Sequence, residues 1–259
     1  MELKLIDILR LTTVSSKDDG KQWTDKTRLW IIQQLLASSR YTLLNPAGAF
    51  KSDLYLLYGV GELDKSKKYI VVSSHIDTEM KRFFVKQKEK SIFGTFDNSI
   101  TNASVIHNML GGNFNDNILI AFTGNEENGM RGAKNLHEYL SGYDVGLYMV
   151  LDVTWEEHYG NTFTLENVKC SVEMHEKLLE IANSTHEKYL DVLPREFDDE
   201  TEIYSANACF SFCIPINNDD EMHSDKGVNT TLDLFEKYTQ AMPKIANNLR
   251  GAEYEIWPK

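Results

Sequence analysis

The chain predicts an α/β fold in three layers, a mostly parallel mixed central sheet sandwiched between helices, and three observations carry that prediction. Short apolar runs rich in β-branched and aromatic residues alternate with segments of helical period along the 259 residues, the pattern of parallel strands joined by crossover helices. These runs are nearly continuous rather than alternating, as strands buried on both faces are. No internal repeat, low-complexity tract or Pro/Gly-rich linker interrupts them, so residues 1–259 read as a single domain, large enough to bury its core without disulfides.

Taken in order, Leu5, Ile8, Leu9 and Leu11 recur near helical spacing between Leu3 and Leu11. Thr24 to Leu36 (TDKTRLWIIQQLL) repeats the pattern behind a capping-type Thr/Asp start. The strands are DLYLLYG (Asp53 to Gly59), YIVVSSH (Tyr69 to His75), NILIAFTG (Asn117 to Gly124) and GLYMVLDV (Gly146 to Val153). Helical patterns fill Ser99 to Leu110, Arg131 to Leu140, Val172 to Ser184 and Leu232 to Leu249. A sheet of this kind binds ligands beyond the carboxyl ends of its strands.

Composition narrows the function. Hydrophobic residues at 42% and charged residues at 25% are ordinary for a globular protein, which excludes disordered and collagen-like chains. A net charge of -12 repels phosphate backbones and anionic headgroups, so neither nucleic acid nor a membrane is an expected partner. The three cysteines, Cys170, Cys209 and Cys213, form no C-x-x-C pair and no even framework. Cys209 and Cys213 read as buried small hydrophobes astride a helix-to-strand change. The N-terminal MELKLIDILRLTTVSS interrupts its apolar residues with charge and no later run is long enough to span a bilayer, so the expected location is the cytoplasm.

The common catalytic motifs are missing: there is no G-x-S-x-G, no P-loop and no G-x-G-x-x-G, and none of the three His-Glu pairs completes H-E-x-x-H. Metal-binding residue types instead collect just past the strand ends. VVSSHIDTE brings His75 and Asp77, IAFTGNEENG brings Glu126 and Glu127, and YMVLDVT brings Asp152; GTFDNS offers Asp97 at a helix start and EMHS offers His223. Two imidazoles with several carboxylates suit Zn²⁺ and tolerate Co²⁺ or Mn²⁺. If Asp97 bridges two ions, His75 with Asp152 and Glu127 with His223 complete three protein ligands each, leaving room for a shared water. In H-x-D on an extended strand both side chains point the same way, so Asp77 can accept a hydrogen bond from the spare ring nitrogen of His75. Adjacent Glu126 and Glu127 cannot both face one ligand position, so one binds metal while the other accepts a proton. Singly each piece has an ordinary structural reading, as a helix cap or a solvated pair; their joint placement at three strand ends does not.

With these residues in hand, the sequence resembles the co-catalytic di-zinc exopeptidase superfamily, which includes leucyl-type and glutamyl-type aminopeptidases and related carboxypeptidases and deacylases. SSHID resembles its H-x-D segment, GTFDNS the bridging-aspartate turn, TGNEENGMRGA the Glu-Glu segment, LDVT the fourth segment and MHS the final histidine, over about residues 5 to 249. The resemblance implies the zinc-exopeptidase, phosphorylase/hydrolase-like form of the fold and two Zn²⁺ ions. It places His75 and Asp152 on one ion, Glu127 and His223 on the other and Asp97 between them, with Glu126 as general base and Asp77 orienting His75. Only 22 positions separate His75 from Asp97 and 71 separate Asp152 from His223, too few for the β-domain or the lid inserted in other branches. A compact form follows, a monomer or an assembly through another surface.

The activity expected is that of an aminopeptidase on peptides or small aminoacyl compounds. A carboxypeptidase or N-acyl amino acid deacylase on the same site, a glutaminyl-cyclase-like single-zinc enzyme and a non-catalytic binding module are the alternatives. An aminopeptidase must hold an ammonium, and the acidic run FDDETE, through Asp199 and Glu202, is the expected holder.

Overall fold

The computed structural model describes residues 3–14, 26–45, 54–192 and 199–249. Its helices are α1 (Leu5–Thr12), α2 (Lys26–Leu36), α3 (Ser99–Leu110), α4 (Arg131–Leu140), α5 (Val172–Ser184), α6 (Thr201–Tyr204) and α7 (Leu232–Asn248). Its strands are β1 (Thr42–Leu43), β2 (Tyr55–Gly59), β3 (Lys68–His75), β4 (Val85–Lys88), β5 (Ser91–Gly94), β6 (Ile118–Thr123), β7 (Asp144–Thr154), β8 (Phe163–Lys169), β9 (Tyr189–Asp191), β10 (Ala208–Pro215) and β11 (Val228–Thr231).

Eight of these strands form one sheet in the order β1-β2-β6-β3-β7-β10-β8-β9. Its centre, β6-β3-β7-β10, is parallel, while β2 and β8 run antiparallel against its two sides. Alternation along each strand divides two cores. Ile70, Val72, Ile118 and Ile120 pack under α1, α2, α3, α5 and α7; Tyr69, Val71, Leu119 and Ala121 pack under α4 and α6. Three layers result, because each sheet face carries an apolar row that only a helix face can cover. The Ser171 and Thr231 side chains cap α5 and α7 by accepting the N–H groups of Met174 and Leu234.

The predicted helices α3, α4 and α5 have the bounds read from their periodicity. Thr24, Asp25 and Asp53, which opened a predicted helix and a predicted strand, lie outside the described residues. Strands β4 and β5 form a hairpin within the 22 positions before Asp97, and β5 also pairs with β11 in a separate three-stranded antiparallel sheet. Their polar composition hid them. Cys209 and Cys213 do not straddle a change of element: both lie on β10, fully buried.

Candidate metal centre

The parallel strands end together, and their ends carry the chemistry. His75 is the last residue of β3. The register pairs Ser74 with Leu151, so one residue further on Asp152 stands level with His75. On the other side His75 pairs with Thr123, and the chain leaving β6 delivers Glu126 and Glu127. Asp97 arrives at the start of α3, pinned from both strands: Asn98 Nδ2 donates to Leu151 O at 2.8 Å and Asn102 Nδ2 to His75 O at 2.8 Å. His223 comes from the loop after the short turn Asp219–Glu221, and this loop is tied down where Asp225 Oδ1 accepts the Lys81 and Arg82 N–H groups at 2.7 and 2.9 Å.

Asp97 stands between the two imidazoles. Its Oδ1 is 3.3 Å from His75 Nε2 and its Oδ2 is 3.1 Å from His223 Nε2. His75 Nε2 is also 3.6 Å from Asp152 Oδ1, and ligand atoms of His75, Asp97 and Glu127 all lie within 4.8 Å of one another. Oδ1 of Asp97 and Oε1 of Glu127 are buried and accept no hydrogen bond, an arrangement that is costly unless a cation fills it. Nitrogen and carboxylate donors converging at this range, with orphaned oxygens facing inward, fit a zinc-type ion.

Electrostatics tell the same story. Burial, with the charges of Asp152, Glu127 and Asp77, pushes the Glu126 carboxyl up to about 10 despite nearby His75. Burial and Asp97 push Glu127 up to about 8. Contact with Asp97 pushes His223 up to about 9. Burial opposes the His75 cation, but Asp152, Asp77 and Asp97 outweigh it and raise its pKa. Negative charge is thus concentrated beyond what two imidazoles neutralise, and a divalent cation would relieve it.

The Asp77 carboxylate is used differently from expectation. Its oxygens accept the backbone N–H groups of Glu126 at 3.0 Å and Glu127 at 3.1 Å. His75 Nδ1 lies nearer the Asp77 carbonyl, at 3.2 Å, than the carboxylate, at 3.7 Å. Buried Arg28 adds a support that residue patterns did not reveal, its Nη1 donating to Ile76 O at 2.9 Å between His75 and Asp77.

A cavity of about 440 Å³ opens over these residues, its apolar wall formed by Met130, Val153, Trp155 and Met222. Asp199 and Glu202 are not on its lining, which corrects their expected contact with substrate. Asp199 is buried and bonded to Asn167, Ser211 and Thr201; Glu202 is exposed on α6. Asp199 and Glu200 are therefore turned into the interior, ahead of the wholly buried strand β10. Phe197 and Asp198 lie outside the described residues.

Comparison with solved structures gives similar folds at low identity. The TET1 peptidase of Pyrococcus horikoshii aligns with a TM-score of 0.70 at 12% identity, covering 94% of this chain and 99% of its own. An aminopeptidase of the archaeon Desulfurococcus kamchatkensis gives 0.73 at 11%, covering 96% and 97%, and the aminopeptidase PepT of Bacillus cereus gives 0.66 at 9%, covering 95% and 98%. No curated protein matches the chain. The profile of peptidase family M28 matches residues 60–248, nearly three quarters of the sequence, including His75, Asp77, Asp97, Glu126, Glu127, Asp152 and His223, and the chain belongs to that family.

Proposed function

We propose that this peptidase is a two-zinc aminopeptidase whose single catalytic domain removes N-terminal residues from peptides or cleaves small aminoacyl amides. The observation that carries the reading is Asp97, one carboxylate oxygen toward His75 and the other toward His223. In this reading His75 and Asp152 would hold one ion, Glu127 and His223 the other, and Asp97 would serve both. Zinc there supplies Lewis acidity, which acidifies water and polarises a carbonyl. Glu126, held by its backbone N–H on Asp77, accepts the proton of the attacking water and passes it to the leaving amine. Asp77 keeps the glutamate pair over the cavity.

The end of the substrate that is recognised follows from charge. Among the described residues no Lys or Arg lines the cavity, whereas Glu126, Glu127, Asp97 and Asp152 do; a lining of this charge offers acceptors to an ammonium rather than a cation to a carboxylate. The names of the structurally similar aminopeptidases agree with this preference. The three cysteines are free and buried, which supports a reducing, cytoplasmic setting, and among the described residues no helix is long and apolar enough to cross a membrane. The test compares an aminoacyl amide with its N-acetylated form under saturating zinc or cobalt. We expect cleavage only of the free amine; equal or faster cleavage of the acetylated form would replace the aminopeptidase by a deacylase.

A further inference from the structure

Beneath the candidate centre lies a carboxyl that the reaction above leaves unused. Glu200 is 1% exposed. Its Oε2 accepts a hydrogen bond from Ser73 Oγ at 2.5 Å, and Tyr204 Oη is 3.3 Å from the same hydroxyl. Its Oε1 is buried outside close hydrogen-bond geometry, the Thr123 hydroxyl being the other side-chain donor that acts on the carboxyl, and no Lys or Arg among the described residues forms an ion pair with Glu200. The contrast with its neighbour is informative: Asp199 is satisfied by Asn167, Ser211 and Thr201, so the chain had ready means of pairing a buried acid here.

The position of Glu200 relative to the site follows from strand alternation. Val71, Ser73 and His75 point to one face of β3, and Val71 packs in the same core as Tyr204 and as Val150, two residues before Asp152. Glu200 therefore sits on the face that bears His75 and Asp152, one pleat deeper, with His75 and Asp77 within electrostatic reach. A buried acid held by hydroxyls alone, with no cationic partner, weakens a fold that an apolar side chain would serve better, unless positive charge gathers nearby. The cluster of ligand-type residues one pleat above is where it would gather.

We propose that Glu200 is a positioning residue of the metal centre, its carboxylate anchoring Ser73 beneath His75 and supplying buried negative charge that strengthens cation binding above. The inference rests on the metal-centre reading but not on the choice of substrate. Burial pushes the Glu200 carboxyl up to about 7, so an approaching divalent cation shifts it readily to the charged form.

The test uses the full chain stripped with a chelator and titrated with Zn²⁺ against a chromophoric chelator, so its readout does not depend on turnover. Glu200→Gln should bind zinc about 10- to 100-fold more weakly, the range for residues that support metal ligands from behind. Glu200→Asp, which keeps the charge, should bind more tightly than Glu200→Gln. Metal-free Glu200→Gln should melt at or above the temperature of the unchanged protein, which separates a charge effect from a folding defect. Wild-type zinc affinity in Glu200→Gln, or tighter binding by Gln than by Asp, would overturn the inference. If the amide variant does not fold, Glu200→Met, of similar length and uncharged, carries the same expectation. An unchanged protein that binds zinc yet cleaves no aminoacyl amide would remove the aminopeptidase reading and leave this one intact.

Discussion

Asp77 spends both carboxylate oxygens on backbone, accepting the Glu126 and Glu127 N–H groups at 3.0 and 3.1 Å, so the glutamate pair hangs from the segment that carries His75. Asp77→Asn puts an amide N–H against one of those donors. Zinc affinity or kcat/KM should then fall about 10- to 100-fold, and if a zinc titration and a rate measurement both stay unchanged, Asp77 has no part in the site. Glu126→Gln keeps the proposed ligands and removes the proton acceptor. Its activity should drop on the order of 10² to 10⁴ while elemental analysis finds the metal content retained; a variant that loses metal but keeps its rate per metal would reassign Glu126 to the ligand set. At this scale the sequence was legible for residue types, since His75, Asp77, Glu126, Glu127 and Asp152 follow apolar runs in plain view. It was silent on Arg28 and read Glu200 only as a member of the acidic run, because their importance comes from burial beside segments 48 and 127 positions away, which no local pattern encodes.

Between β6 and α4 the segment TGNEENGMRGA turns sharply, with Gly129 at φ +98 and Met130 in the left-handed region at φ +54. Gly132 closes the turn: its N–H donates to Gly124 O at 3.0 Å, and a Cβ there would lie 2.4 Å from Leu54 O and 2.6 Å from Gly124 O. Backbone cannot give way as a flexible side chain can, so Gly132→Ala should destabilise by about 1–3 kcal/mol and displace the Glu126–Glu127 loop. Denaturant unfolding together with zinc affinity measures both effects, and a variant matching the parent in each would show the turn to be roomier than this. The helices α3, α4 and α5 were readable because their apolar periodicity is strong. The hairpin β4–β5 and strand β11 were not: VKQK, SIFG and VNTT owe their strand geometry to pairing with one another rather than to a hydrophobic pattern.

For the molecule as a whole, the buried acids of the site predict how metal-free stability depends on pH. Burial pushes the Glu200 carboxyl up to about 7 against a reference of 4.5, opposed by the Ser73 and Thr123 hydroxyls and by His75 and raised further by Asp77, so the folded state binds its proton more tightly than the unfolded chain. The contribution is complete below pH 4.5 and is lost as pH rises through 7. Relative to Glu200→Gln, the unchanged protein should therefore lose up to about 3 kcal/mol between pH 4.5 and 8. Urea unfolding of both proteins in chelator across that interval checks it, and parallel stability curves would place the Glu200 proton elsewhere. By itself the sequence determined the layered α/β class, the central strands β3, β6 and β7 and the set of residues gathered at their ends, because apolar runs and helical periods are local properties of the chain. Only the tertiary structure decided that Asp97 lies between His75 and His223, that Asp77 grips the backbone of Glu126 and Glu127, and that Asp199 and Glu200 are buried away from the cavity lining. Those outcomes depend on strand register and on which buried face a side chain meets, and both are set by partners far away in the chain.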